Sequence, residues 1–320
     1  MPDRYYGFAV GRIRVLETRL LDRTKLERLA EAADLAEALA QLGETEYGPL
    51  VASGLAPVEI AGAELARVRD LVLGLAEGAP EVDFLLWRWD LQNLKALLRG
   101  EEGRAALNGL GRYRPEEIAG WFAANDPKLP EFFAEARKAG EEALAKSGDP
   151  QLMDAAIDRL YYESGAGFWR DRSELLAGYW GARIDLTNLR TFVRAKRLGF
   201  ARERVSALLL PGGAVAREGF LALLGGSWEE IEAWWAGGPY GAILGACGRL
   251  ADLPALERAC DDFLLERIKP AKAVPLGLEP VLGYYLGKEH ETRLVNLILA
   301  AKTTRVPAAR LKERLRDVYA

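Results

Sequence analysis

Apolar residues recur along this chain at helical spacing. In the stretch Leu85–Arg99, Trp87, Leu91, Leu94 and Leu98 stand four, three and four residues apart, which places them on one stripe of a helix. Asp90 and Asn93 fall on a neighbouring face, well inside the same helix. Short polar side chains are poor interior helix formers because they compete for nearby backbone groups, so their presence there needs a reason. The stretch returns as Arg183-Ile184-Asp185-Leu186-Thr187-Asn188-Leu189-Arg190 and again as Glu291-Thr292-Arg293-Leu294-Val295-Asn296-Leu297-Ile298. Superposing Asn93, Asn188 and Asn296 aligns Leu91 with Leu186 and Leu294, and Leu94 with Leu189 and Leu297. Each copy is followed by basic residues: Lys95 and Arg99; Arg190, Arg194 and Lys196; Lys302 and Arg305. Such intervals are too long for a short-period solenoid and fit about three similar helical units. The polar residues Asp90, Asn93, Asp185, Asn188 and Asn296 are expected to satisfy backbone groups of an adjacent turn or unit rather than to act as a catalytic carboxylate and amide.

Other segments follow the same logic. Tyr5–Leu21 reads as a first helix. Thr24-Lys25-Leu26-Glu27 has the form of a capping box and predicts a helix to about Leu42, closed by Gly43. Gly54 and Pro57 mark a turn before a helix over Val58–Leu75. Glu116–Ala123, opened by Pro115, pairs in sequence with Glu229–Ala236, and Leu152–Tyr161 pairs with Leu256–Leu265. Residues 202–219 are extra in the later unit and read as a surface insertion. No period-two alternation is sustained, so the predicted fold class is all-α. The units are placed at 1–82, 83–175 and 176–283, with 284–320 as a partial repeat and closing helices.

Composition narrows the function more by exclusion than by signal. Half of the 320 residues are hydrophobic, enough for a large core, and the formal net charge is −4 with a pI near 5.5. That balance argues against a nucleic-acid binder driven by overall basicity. Cys247 and Cys260 give neither a disulfide framework nor zinc spacing. The single histidine, His290, has no second His to share a metal and reads as an exposed helix residue. No Gly-x-Ser-x-Gly elbow frames a serine, and Gly283–Lys288 is too short for a phosphate loop. The expectation is no catalytic residue, no cofactor and no metal. Met1–Arg4 does not resemble a secretory leader, and no run approaches the roughly 20 apolar residues of a spanning helix. Eight tryptophans divide between core packing and a contact rim in a way that sequence alone leaves open.

The opening Tyr5-Tyr6-Gly7-Phe8-Ala9-Val10-Gly11-Arg12-Ile13-Arg14 with Leu20-Leu21, the repeated Asp-Leu-x-Asn-Leu helices, Asp154–Glu163 and the ending Glu291-x-x-x-x-Asn296-Leu297 together resemble the C-subunit family of V-type/A-type rotary ATPases, whose eukaryotic member is the d subunit. The likeness covers essentially the full length, and the Ala-, Leu- and Arg-rich composition is similar to a thermophilic bacterial member. It implies three similar helical domains in a pseudo-threefold funnel. It also implies a non-catalytic central-stalk subunit, peripheral at the cytoplasmic face of the membrane. Such a part joins the shaft subunits of the rotor to the proteolipid ring and transmits torque for coupled ATP synthesis or hydrolysis and proton transport. Candidate contact residues are Arg104, Arg112, Arg202 and Arg204, in loops at the unit boundaries. Two other classes are a helical adaptor that binds a peptide or partner helix, and an enzyme with a buried Glu, Asp or Lys centre.

Overall fold

The computed structural model describes residues 6–124 and 129–320. Among the described residues every regular element is a helix, and the fold is all-α. Contacts gather the chain into two compact units, residues up to 82 with 257–320, and residues 83–256.

The first unit opens with α1 (Gly7–Glu17), α2 (Arg23–Glu31), α3 (Leu35–Gly43), α4 (Gly48–Ala52) and α5 (Pro57–Leu75). The single helix expected from Thr24 to Leu42 is two helices. Its cap is Asp22, whose carboxylate accepts the Lys25 N–H at 2.8 Å. The run stops after Glu31 for two reasons. Asp34 caps a new helix by accepting the Glu37 N–H at 2.9 Å. Lys302 donates to the carbonyls of Ala30 and Ala32, acceptors that a continuing helix would have used.

The chain then builds the second unit from α6 (Pro80–Leu98), α7 (Glu101–Arg104), α8 (Pro115–Ala124), α9 (Glu131–Ser147) and α10 (Pro150–Arg170). It continues with α11 (Glu174–Arg197), α12 (Arg202–Leu208), α13 (Arg217–Ala222), α14 (Trp228–Ala236) and α15 (Ala242–Cys247). Its core is aromatic. Phe84 stacks on Phe168 and Tyr161 at ring distances of 4.5 and 5.1 Å, and the edges of Trp169 and Trp180 meet it at 5.8 and 5.7 Å. The Trp180 indole donates to the Tyr162 carbonyl at 3.0 Å, so its one polar group is satisfied inside. Trp169, Trp180 and Trp235 are buried, and the other five tryptophans are half-buried. The region 202–219 is no surface insertion. Val205, Leu208, Leu209 and Leu210 are buried, so α12 and the turn after it form part of the core wall.

Finally α16 (Leu253–Ile268), a 3-10 turn at Lys269–Ala273, α17 (Glu279–Thr303) and α18 (Ala308–Lys312) return the chain to the first unit. α17 is the axis of that unit. Every residue from Pro280 to Thr292 is buried, with α5 packed along it and α1, α2 and α3 also in contact. A helix buried all round is ordinarily apolar all round. This one carries Lys288, Glu289, His290 and Glu291, which must therefore find partners inside.

Candidate functional site

The polar residues of the repeated helix form the same device twice. On α6, Asp90 and Asn93 are fully buried. The Asn93 side chain grips the backbone of Asn108 from both sides, donating to its carbonyl at 2.8 Å and accepting its N–H at 2.9 Å. The Asp90 carboxylate accepts the N–H groups of Arg112 at 2.8 Å and Tyr113 at 3.2 Å. On α11, Asn188 donates to the Leu210 carbonyl at 2.9 Å and accepts its N–H at 2.7 Å. Asp185 accepts from Ala214 at 2.8 Å and Val215 at 3.1 Å.

The register is identical in the two copies. The amide holds one loop residue, and the carboxylate holds the fourth and fifth residues beyond it. The third residue beyond is a glycine in each case, because the loop crosses directly over the carboxylate. An added Cβ at Gly111 would lie 1.9 Å from Asp90 Oδ1, and one at Gly213 would lie 1.9 Å from Asp185 Oδ1. The connections differ in length, with α12 in the longer one where α7 stands in the shorter. The second clamp also receives the Tyr240 hydroxyl on Asp185 at 2.8 Å. Burial raises the Asp185 carboxyl above its ordinary range, against the hydrogen bonds from Tyr240, Val215 and Ala214. A second matched detail follows each loop. Glu117 accepts the Arg114 N–H at 2.9 Å, and Glu230 accepts the Ser227 N–H at 2.7 Å, each closing the first turn of its helix.

Each carboxylate is held by two backbone donors, which makes it an anchor for its loop. Asn296 has a different setting. It lies exposed on α17, the position three residues before it is Arg293, and Arg293 pairs with Glu289. After Thr303 the chain turns directly into α18, so no long loop returns over this copy for an Asp–Asn pair to hold.

In its place the first unit contains a buried charge cluster that sequence reading missed. Lys288 is 1% exposed and Glu64 is fully buried. The Lys288 ammonium lies 3.0 Å from Glu64 and 2.6 Å from Glu291. Arg67 meets Glu64 through two donors, both at 2.9 Å. Glu291 also accepts the Tyr47 hydroxyl at 2.9 Å and the Leu21 N–H at 2.7 Å. The Lys288 ammonium stands 4.7 Å from the centre of the Tyr47 ring, close enough for a cation–π contact. The cluster ties α17 to α5 and to the segments before α2 and α4. Its sequence signal was a charge at an apolar position, since Glu64 falls among Ile60, Ala61, Leu65 and Val68 on the buried face of α5.

Converging buried ionisable groups are what an enzyme with a hidden centre would need, and the direction of the shifts tells against it. Burial works to lower the Lys288 pKa, but the charges of Glu291 and Glu64 outweigh it and raise the group above its usual value. A lysine nucleophile requires the opposite. The Tyr47 phenol is pushed well up, first by burial and then by the charges of Glu291 and Glu64. His290 is likewise buried rather than exposed, with Nε2 2.9 Å from the Asp317 carbonyl, and burial lowers its pKa. Among the described residues, no three His, Cys, Asp or Glu side chains group as metal ligands, and no helix is long and apolar enough to cross a membrane.

The four candidate arginines all lie in the second unit. Arg112 pairs with Asp83 at 2.6 Å, Arg202 donates to the Leu221 carbonyl at 2.6 Å, and Arg204 meets Asp149 at 2.7 Å and Gln151 at 2.8 Å. Arg104 is exposed at the end of α7.

Among the described residues every regular element is thus a helix, and the buried polar groups of the two clamps anchor loops to helices. Residues 9–314 match the ATP synthase (C/AC39) subunit family, and the chain belongs to that family. The C subunit of the V-type ATP synthase of Thermus thermophilus is 29% identical over 327 residues, covering 97% of this chain and 98% of the relative. The C subunit of the A-type ATP synthase of Thermococcus kodakarensis is 26% identical over 308 residues, covering 90% and 84%. That of Pyrococcus horikoshii is 25% identical over 344 residues, covering 98% and 90%.

Proposed function

We propose that this chain is a non-catalytic central-stalk subunit of a V/A-type rotary ATPase. It links the soluble rotor shaft to the membrane proteolipid ring and transmits torque between ATP turnover and proton movement. It works as a peripheral part at the cytoplasmic face and holds no nucleotide site of its own. The observation that carries this reading is the near end-to-end likeness to the Thermus thermophilus relative, over 97% of this chain and 98% of that one. The two clamps and the charge cluster support it physically. A part under torque needs loops and helices that hold one geometry, and fully satisfied buried polar networks supply that rigidity.

Among the contact candidates, Arg104 and Arg112 suit a salt-sensitive interface. Arg202 and Arg204 serve first to hold α12 in place, so their reversal acts through the fold. The decisive experiment purifies detergent-extracted complexes through a tag on this chain. ATPase and proteolipid subunits should co-purify, and removal of the chain should separate ATP hydrolysis from proton pumping. Recovery of the chain without either set of partners would sink the proposal. Charge reversal at Arg104 and Arg112 should then lower retention of the soluble sector as salt is raised, with helicity unchanged.

A further inference from the structure

In the first unit, an open groove of about 890 Å³ runs between the turn that joins α2 to α3 and the turn that joins α17 to α18. Leu35, Leu39 and Val306 line it. All three are half-buried, packed against the core of the unit and still facing the groove. The acids that line it already have partners. Glu31 pairs with Lys312, and the Asp34 carboxylate accepts the Glu37 N–H at 2.9 Å. Of the two lining cations, Lys302 is engaged by the carbonyls of Ala30 and Ala32. The other, Arg305, is exposed, and among the described residues its guanidinium has no hydrogen-bond or ion-pair partner.

Arg305 also stands where the backbone favours another residue. α17 ends in a Schellman motif, with the Arg305 N–H on the Lys302 carbonyl at 3.2 Å and the Val306 N–H on the Ala301 carbonyl at 2.8 Å. The motif holds Arg305 at a φ of 56°, in the left-handed region. α11 ends with the same two bonds, Gly199 to Lys196 and Phe200 to Ala195, and there the left-handed residue is a glycine. Among the described residues, every other position of positive φ is a glycine too. A side chain strains the backbone at such a position, and glycine does not. The arginine thus weakens the end of α17 and gains no contact within the described chain in return. Residues kept in strained backbone gather where a ligand or partner is met.

We infer that this groove docks a segment of a partner protein, with apolar side chains on Leu35, Leu39 and Val306 and an Asp or Glu on Arg305. The unmatched cation selects a carboxylate, since a like charge there would be repelled. Arginine is the cation that protein interfaces favour, and its fork meets a carboxylate with two parallel bonds. The apolar residues are recessed, so an amphipathic segment laid into the groove reaches them and a flat bilayer surface does not. A partner presupposes the assembly proposed above, so this docking rests on that reading.

The test is photocross-linking in the native host, with the full tagged chain carrying benzoylphenylalanine in place of Ala36, an exposed residue of the groove. One partner protein should be linked, through a peptide with apolar residues beside an Asp or Glu. The same probe in place of Val58, which is exposed on α5 outside the groove, should not give that product. Arg305→Gly should lower the yield by about fivefold or more, the loss expected of an interface anchor. The same variant should melt no lower than wild type, because the strain is gone. Arg305→Glu should lower the yield further. An Arg305 that serves only the fold would show the reverse, a lower melting point with unchanged yield, and that result would overturn the proposal. ATPase and proteolipid subunits recovered through the tag keep the two readings apart. Their recovery without a cross-link at Ala36 overturns the docking alone, whereas neither subunits nor cross-link sinks both. A cross-link to lipid, or to a peptide without a carboxylate, would overturn the choice of partner.

Discussion

The two units solve the same mechanical problem with different chemistry. In the second unit, short polar side chains on α6 and α11 reach only as far as a loop that crosses the helix, and each clamp fixes backbone to side chain. In the first, long charged side chains on α17 and α5 reach across a helix–helix contact and fix side chain to side chain. The clamp leaves no net buried cation, and backbone donors distribute its charge. The cluster balances full charges against one another, so losing one member strands the others. A loop-holding device should therefore degrade in small steps, and a charge cluster should fail abruptly.

The largest effect is expected at Lys288. Lys288→Met leaves Glu64 and Glu291 buried beside each other, and breaking a buried pair costs about 3–5 kcal/mol. Urea denaturation of the full chain should show this loss in the transition of the first unit. Lys288→Met combined with Glu64→Gln and Glu291→Gln should recover part of it, because the stranded charges are gone. A Lys288→Met protein as stable as wild type would show that the cluster is not what holds α17.

Alkaline pH should separate the units next. Lys288 and Tyr47 both have folded pKa values above their usual 10.5 and 10.0, and burial lifts Tyr284 to about 12. A group raised on folding contributes stability that is complete below its unfolded value and is lost as pH climbs through the folded one. The first unit should therefore weaken from about pH 10 upward, and Lys288→Met should flatten that slope. Hydrogen exchange resolved by peptide, followed from about pH 9 to about pH 11, would read it. Equal weakening of the second unit would erase the distinction.

The clamps come third. Asn188→Ala strands a buried N–H and carbonyl at Leu210, for about 1–3 kcal/mol, and Asn93→Ala should cost a similar amount. Gly213→Ala pushes a methyl into the Asp185 carboxylate and should cost about as much, in the range of overpacking. Thermal melts of the three variants check this. Melting points matching wild type would mean that the loops find other partners.

How much of this was readable beforehand depended on whether a residue's oddity was local. Asp90 and Asn93 stood out because short polar residues inside an apolar helix are unusual on their own, and their return as Asp185 and Asn188 marked a device. The helical pattern also delivered the all-α fold, since periodicity is a property of each segment. What it could not deliver was reach. Thr24–Leu42 read as one helix because the side chain that helps to end α2 is Lys302, at the far end of the sequence. His290 read as an exposed helix residue, and only the packing around α17 turns it inward.

The smallest expected effect makes the sharpest test of the comparison. Asn296 aligns with Asn93 and Asn188 in sequence, flanked by Leu294 and Leu297 as they are by their own leucines. If shared ancestry of the stretch determined its role, Asn296→Ala would cost what Asn188→Ala costs. The structure gives it neither requirement of the clamp. The side chain is exposed, the residue three before it is Arg293 rather than an aspartate, and the segment that returns after α18 meets α17 through Asp317 and Tyr319 at His290 and Gly287. A surface substitution outside such a device changes stability by no more than about 0.5 kcal/mol. Alanine also propagates a helix better than asparagine, so the sign of any change should be slightly stabilising. Measured side by side in urea, Asn296→Ala should overlay wild type while Asn93→Ala and Asn188→Ala shift to lower denaturant. A loss at Asn296 as large as at Asn188 would mean that this third copy holds a partner, and that the two units are less different than their chemistry indicates.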